Sequence, residues 1–157
     1  MQEADACQVG AFYPQVALLL KMKKIAYILS LFLLLLTGAG AVYGGWSLMT
    51  DPSGSAIQLS LHALDQTPFP DFLIPGIVLF ICMGLFSLLA IFSMLLLQPH
   101  YSYFILAEGI LLTGWILIQT IWTQLFHPLQ VIMGITGLFL MVCGLILYKA
   151  EGGKLCF

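Results

Sequence analysis

The sequence predicts an all-α integral membrane protein, an up-down-up-down bundle of four transmembrane helices with one structured outer loop. Three observations carry that expectation. Four long apolar runs fill the chain from Ile25 to Tyr148, and a helix needs roughly 20 apolar residues to cross a bilayer core. Charged residues make up only 8% of the chain and the mean hydropathy is +1.06, whereas a soluble domain carries about 25% charge. The basic residues, finally, are confined to Lys21, Lys23, Lys24, Lys149 and Lys154, with no arginine anywhere. Lysines beside membrane segments are retained on the cytoplasmic side, and an even number of spans returns both chain ends to one face.

Residues 1–24 read as a cytoplasmic tail to which the sequence assigns no structure, and Met22-Lys23-Lys24-Ile25 resembles a bacterial start. The first span is expected over about 25–46. Basic, then apolar, then small residues (Gly38-Ala39-Gly40-Ala41) also fit a secretory signal peptide. The apolar part exceeds the 7–15 residues usual for a signal core, and cleavage would put the C-terminal lysines on the wrong side. An uncleaved span is therefore the expectation. Gly40 and Gly44, four apart, would let helix backbones approach closely within the bundle, and Trp46 falls where interfacial aromatics sit.

Residues 47–71 form the one sizeable loop, placed outside by the charge pattern. Asp51-Pro52-Ser53-Gly54 is a turn sequence in which Asp accepts backbone hydrogen bonds, Pro presets φ and Gly permits a reversed conformation. Ile57, Leu59 and Leu61 alternate with Gln58, Ser60 and His62, a period-two pattern that predicts an extended piece lying across the bundle top. Asp71 is placed to cap the next helix. The second span follows over about 72–97, with Pro75 set to bend its first turn. A third is expected over about 101–124, and a fourth over about 129–148 ahead of a cytoplasmic tail, 149–157. Short turns at Gln98-Pro99-His100 and Phe126-His127-Pro128 imply antiparallel neighbours. Leu35–Gly38 repeats as Leu111–Gly114, with Tyr27 matched by Tyr103 and Trp46 by Trp122, the trace of a duplicated hairpin.

Glu108 is the one acidic residue within an apolar run, roughly 10 Å into the third span from Tyr101 at 1.5 Å per residue. An ionised carboxylate facing lipid there would cost several kcal/mol, so its side chain is expected to face the interior. No lysine lies in the apolar core to neutralise it. Steps of seven, four and three residues lead to Trp115, Gln119 and Trp122, broadly on the same face. This face is expected to line a cavity with a carboxyl at the inner side and an amide at the outer side. The bland alternative is a carboxyl hydrogen-bonded to a hydroxyl such as Thr37 or Ser87, holding helices in register.

A second candidate cluster lies in the outer loop: Asp51, Gly54, His62, Asp65 and Asp71, with His127 nearby. Its spacing fits no metal motif, and Asp51 and Asp71 are accounted for as turn and cap residues. The four cysteines lack a C-x-x-C pair, which removes quinone-linked thiol chemistry. Nor is there a nucleophile elbow, a zinc-protease motif or a phosphate-cradling glycine loop.

Tyr43-Gly44-Gly45-Trp46-Ser47-Leu48-Met49-Thr50-Asp51-Pro52-Ser53-Gly54, followed by Thr67-Pro68-Phe69-Pro70-Asp71-Phe72-Leu73-Ile74-Pro75-Gly76, resembles a group of small four-span bacterial membrane proteins without assigned function. The resemblance covers the first loop and its flanking spans and implies an inner-membrane location. It adds no activity. The residues themselves favour a non-enzymatic module with no cofactor and no metal, binding through the outer cap and the span-three face. Its partners would be membrane lipid and a protein or apolar small molecule; nucleic acid is not expected, and a homo-oligomer is compatible with the pattern. The alternative is a proton- or cation-coupled small transporter with Glu108 as the coupling carboxyl, and an intramembrane enzyme ranks third.

Overall fold

A computed structural model describes the backbone of residues 3–57, 69–123 and 128–152, and the side-chain surroundings of 17–57, 69–121 and 128–151. Four helices long and apolar enough to cross a membrane make up the described fold: Ala17–Thr50, Leu73–Leu95, Tyr101–Ile121 and Pro128–Glu151. The first packs along the second and the fourth, the second touches the third, and the third lies closest along the fourth. That cyclic order is an up-down-up-down bundle. Its polarity is inverted relative to a soluble protein. Phe32, Leu35, Phe92 and Leu97 are more than half exposed, while Ser30, Ser87, Ser102 and Glu108 have no exposed surface. Such an outside is stable only against lipid, because a water-soluble fold does not leave contiguous apolar patches of this extent. The chain is a multi-pass membrane protein.

The first helix differs from expectation at its start. It runs unbroken from Glu3 to Thr50, 48 residues, where the sequence put an unstructured tail and a span beginning near Ile25. Glu, Ala, Gln, Leu and Lys dominate the added turns and are strong helix formers. Extending an existing helix also costs far less than nucleating one. At roughly 1.5 Å per residue it is more than twice as long as a bilayer core is thick, so it projects past the bundle. The last helix likewise continues beyond Tyr148, to Gly152.

The second span begins at Leu73, and Pro75 lies within its first turn. Amide groups there have no intrahelical acceptor, so the proline removes no bond; the first one formed is Gly76 N–H to Phe72 C=O, 2.8 Å. Leu79–Leu85 then widens into a π-helix before Phe86–Leu95 resumes the α form. Its end is closed by Gln98 N–H to Ser93 C=O and Leu97 N–H to Met94 C=O, 3.1 Å each, with Leu97 at φ 48°. This is the paired bonding of a Schellman cap, made with leucine where glycine is usual.

Glycines set how closely the spans approach. A Cβ on Gly109 would sit 2.7 Å from Met141 N and 2.8 Å from Gly137 O, and one on Gly144 would sit 2.9 Å from Leu106 N. Gly45 meets Phe80 and Gly76 as tightly, which joins the first two spans. The expected Gly40–Gly44 contact is not the one used: Gly40 has open space and Gly44 only ordinary contact at 3.5 Å. The burial stripe of the first helix runs instead through Leu34, Gly38, Ala41, Gly45 and Leu48, because its seven-residue spacing follows the partner helix. Nor does the repeat carry into environment. Gly38 is wedged against Ser87 whereas its counterpart Gly114 is open, and Tyr27 is half-buried whereas Tyr103 is exposed.

Gly109→Val should therefore lower stability by about 1–3 kcal/mol or more, the usual cost of overpacking. Gly40→Ala should be neutral or stabilising by up to about 1 kcal/mol, the helix-propensity gain. Thermal unfolding in detergent followed by helical circular dichroism reads both.

Candidate functional site

Glu108 is fully enclosed. Ser87 Oγ donates to its Oε1 at 2.6 Å, so the carboxyl joins the second and third spans midway along the bundle. The hydroxyl-pinning arrangement foreseen for Ser87 is thus present. Thr37, the other hydroxyl considered, is buried beside this pair: Gly38, its neighbour, would place a Cβ 3.0 Å from Ser87 Cβ.

Among the described residues, four buried side-chain polar atoms have no hydrogen-bond partner: Glu108 Oε2, Thr37 Oγ1, Ser30 Oγ and Ser93 Oγ. Ser30 lies against the Cys143 thiol, a weak donor and acceptor. Buried polar groups are nearly always satisfied, and each exception calls for an explanation. The contrast within this molecule sharpens the point. Thr113, Thr120 and Thr136 turn back onto their own helix and donate to Gly109, Ile116 and Ile132 carbonyls at 2.8–2.9 Å. Ser30, Thr37 and Ser93 forgo that bond.

Their order along the bundle is set by helical rise. Tyr27 donates its hydroxyl to Met94 C=O at 3.1 Å and meets the Tyr101 ring edge-on at 5.9 Å, which fixes a common level near the chain ends. Ser93 adjoins that level, and Ser30 lies one turn above Tyr27. Thr37 is seven residues beyond Ser30, roughly 10 Å, and its neighbour Gly38 meets Ser87. Buried hydroxyls thus lie at intervals between the chain-end side of the bundle and the carboxyl, with no hydrogen bond from one to the next. On the opposite side Leu48 and Phe72 are buried with Ile57 against them, an apolar plug under the loop.

The rest of the expected span-three face does not share this enclosure. Trp115 packs half-buried against the core and Gln119 is half-buried, while the side chain of Trp122 lies outside the described residues. Between Thr113 and Ile121 no residue is fully buried. The third span is covered at the Glu108 level and loses its cover toward the loop end, so carboxyl and amide do not form one lined surface.

The loop is braced by Asp51. Its Oδ1 accepts from Ser53 Oγ at 2.6 Å and Ser53 N–H at 3.2 Å, and its Oδ2 from Ser55 Oγ at 2.6 Å and Ala56 N–H at 2.9 Å. Gly54 takes φ 77°, a conformation that strains any side chain, and Phe72 N–H bonds Pro52 C=O at 3.0 Å to close the loop. Asp71 Oδ1 accepts from Leu73 N–H at 3.0 Å, a local turn just ahead of the helix; the N-cap position itself falls on Phe72, with no side-chain cap bond, one residue after the expected Asp71. Ile57 sits in a 3-10 turn, Ser55–Ile57, and not in an extended piece. The remainder of that piece, with His62, Asp65 and also His127, lies outside the described residues. Among the described residues no three metal-ligating side chains converge.

Compared with known proteins, the chain matches no family model, no curated protein and no solved structure.

The donors on Asp51, the Ser53 hydroxyl first and then those of Ser55 and Ala56, lower its pKa from 3.8 to about 2. A carboxyl whose folded value is depressed contributes stability above its ordinary value and loses it as pH falls through the folded one. Ser53 and Ala56 amide resonances should accordingly shift together with a midpoint near pH 2. In Asp51→Asn the same resonances should show no such transition.

Proposed function

We propose that this is a non-enzymatic, proton-coupled membrane protein in which the Glu108 carboxyl is the exchange group. The observation that carries the reading is a buried carboxyl with one oxygen left without a hydrogen bond, in a bundle interior that also holds the unsatisfied hydroxyls of Ser93, Ser30 and Thr37. Ionisable groups inside a membrane are costly and mark proton and ion pathways. The hydroxyls are not bonded to one another, so a relay would need water between them; each hydroxyl would accept one proton while releasing another and end unchanged. The only net change is protonation or deprotonation of Glu108. Its protons would come from the chain-end side, where the unsatisfied hydroxyls of Ser30 and Ser93 lie among the buried Met94, Ile105 and Leu147, whereas Leu48 and Phe72 fill the loop side. Transport would then require that plug to open in a second state.

This reading is favoured over a binding module built on the cap. Every oxygen of the Asp51 carboxylate is already engaged by the loop's own donors, which makes it a brace. A cation at Glu108 is less well served, because the neighbouring groups are single hydroxyls and not a convergent oxygen cage. We place the protein in a bacterial inner membrane with both ends cytoplasmic, supported by the lysines at the outer ends of the first and last spans and by the loop resemblance. The Ser30 and Ser93 hydroxyls would then lie toward the cytoplasm.

In vesicles carrying an internal pH dye, the reconstituted protein should dissipate an imposed pH gradient. Glu108→Gln keeps the shape and the Ser87 contact, so it should unfold at the wild-type temperature and reduce the flux to that of empty vesicles. If Glu108→Gln moved protons as well as wild type, the carboxyl would be a structural pin and the proposal would be wrong.

A further inference from the structure

A cleft of about 610 Å³ opens at the chain-end side of the bundle, between the first helix and the turn that joins the second and third spans. Lys23, Lys24, Gln98 and His100 supply its polar wall, and Leu20 and Leu97 its apolar one. We infer that this cleft binds the phosphate headgroup of an anionic membrane lipid, with the lysine ammonium groups on the phosphate and the leucines against the glycerol and first acyl carbons.

Charge is the first argument. Two ammonium groups face one carboxylate, Glu151, and that carboxylate already accepts a hydrogen bond from the buried Ser102 hydroxyl. The excess is positive in a chain whose overall charge is −2, so the cleft departs from the molecule's average. Basic pockets between transmembrane helices are suited to anionic headgroups.

Geometry is the second. The turn that forms one wall is held in an unusual shape, with both Leu97 at φ 48° and His100 at φ 71°. Left-handed conformations are costly for residues other than glycine, yet here they leave Leu97 72% exposed and set the His100 ring edge-on to Tyr103 at 5.7 Å. An apolar side chain pushed out beside lysines, where the spans end, matches the boundary between headgroups and acyl chains. A free phosphate would use the lysines and gain nothing from Leu20 and Leu97. The inference is independent of proton exchange at Glu108.

The test is native mass spectrometry of the full chain released from vesicles of equal parts phosphatidylglycerol and phosphatidylcholine. Wild type should retain one phosphatidylglycerol in preference to phosphatidylcholine. Replacing both cleft lysines, Lys23→Gln with Lys24→Gln, should reduce that preference by roughly thirtyfold, the order expected for two lysines near an anionic surface. Lys149→Gln, an exposed lysine outside the cleft, should keep it, as should Glu108→Gln. Equal retention of the two lipids, or equal loss in Lys149→Gln, would overturn the proposal. Displacement of the lipid by millimolar inorganic phosphate would overturn the lipid source and assign the cleft to a free anion.

Discussion

A carboxyl group in the middle of a bilayer has to be walled off from lipid, and the bundle is arranged around that requirement at Glu108. Enclosure of a charged-type side chain needs helices that come close together, and the glycines provide it. Gly109 follows Glu108 directly and brings the third span against Met141 and Gly137 of the fourth. Gly38 does the same for the first span against Ser87, the residue that donates to Glu108. Side chains at these positions would hold the helices apart and open the carboxyl to lipid. The small residues and the buried acid are therefore parts of one design.

The π-helix has a place in the same arrangement. A wide turn inserts one residue into the helical count, so the face presented after it is rotated relative to the face before it. Leu79–Leu85 ends two residues before Ser87. Before it Gly76, and within it Gly84, meet the first helix; after it Ser87 meets both Gly38 of the first helix and Glu108 of the third. One uninterrupted α-helix would have to serve both neighbours with a single stripe. A wide turn at this position lets the span keep its packing on the first helix and add contact with the third.

Much of this could be read from the residues and some could not. Span number followed from apolar run length, and the loop brace followed from Asp51-Pro52-Ser53-Gly54, because local chemistry determines both. The inward placement of Glu108 followed from the cost of its alternative. Its partner was narrowed to two hydroxyls and not chosen, since helical periodicity gives a face but not which neighbour meets it. The Gly40–Gly44 pair misled because spacing alone does not say which stripe of a glycine-rich helix faces protein. Similarly, Glu108, Trp115 and Gln119 share a helical face, yet the packing that covers the first thins out before the last. The π-helix left no signal in the sequence. Serines 30 and 93 were missed as well; they read as ordinary small residues in apolar runs, and a search for hydroxyls on the buried stripes would have found them.

The central claim is that Glu108 exchanges a proton with water at the chain-end side only. Infrared difference spectroscopy of the protein oriented in sealed vesicles, with glutamate carboxyls isotopically labelled, tests it most directly. A pH step on the chain-end side should change a carboxyl band that is absent from Glu108→Gln, and the same step on the loop side should not. A band that ignores pH on both sides, or answers equally to both, would contradict the account.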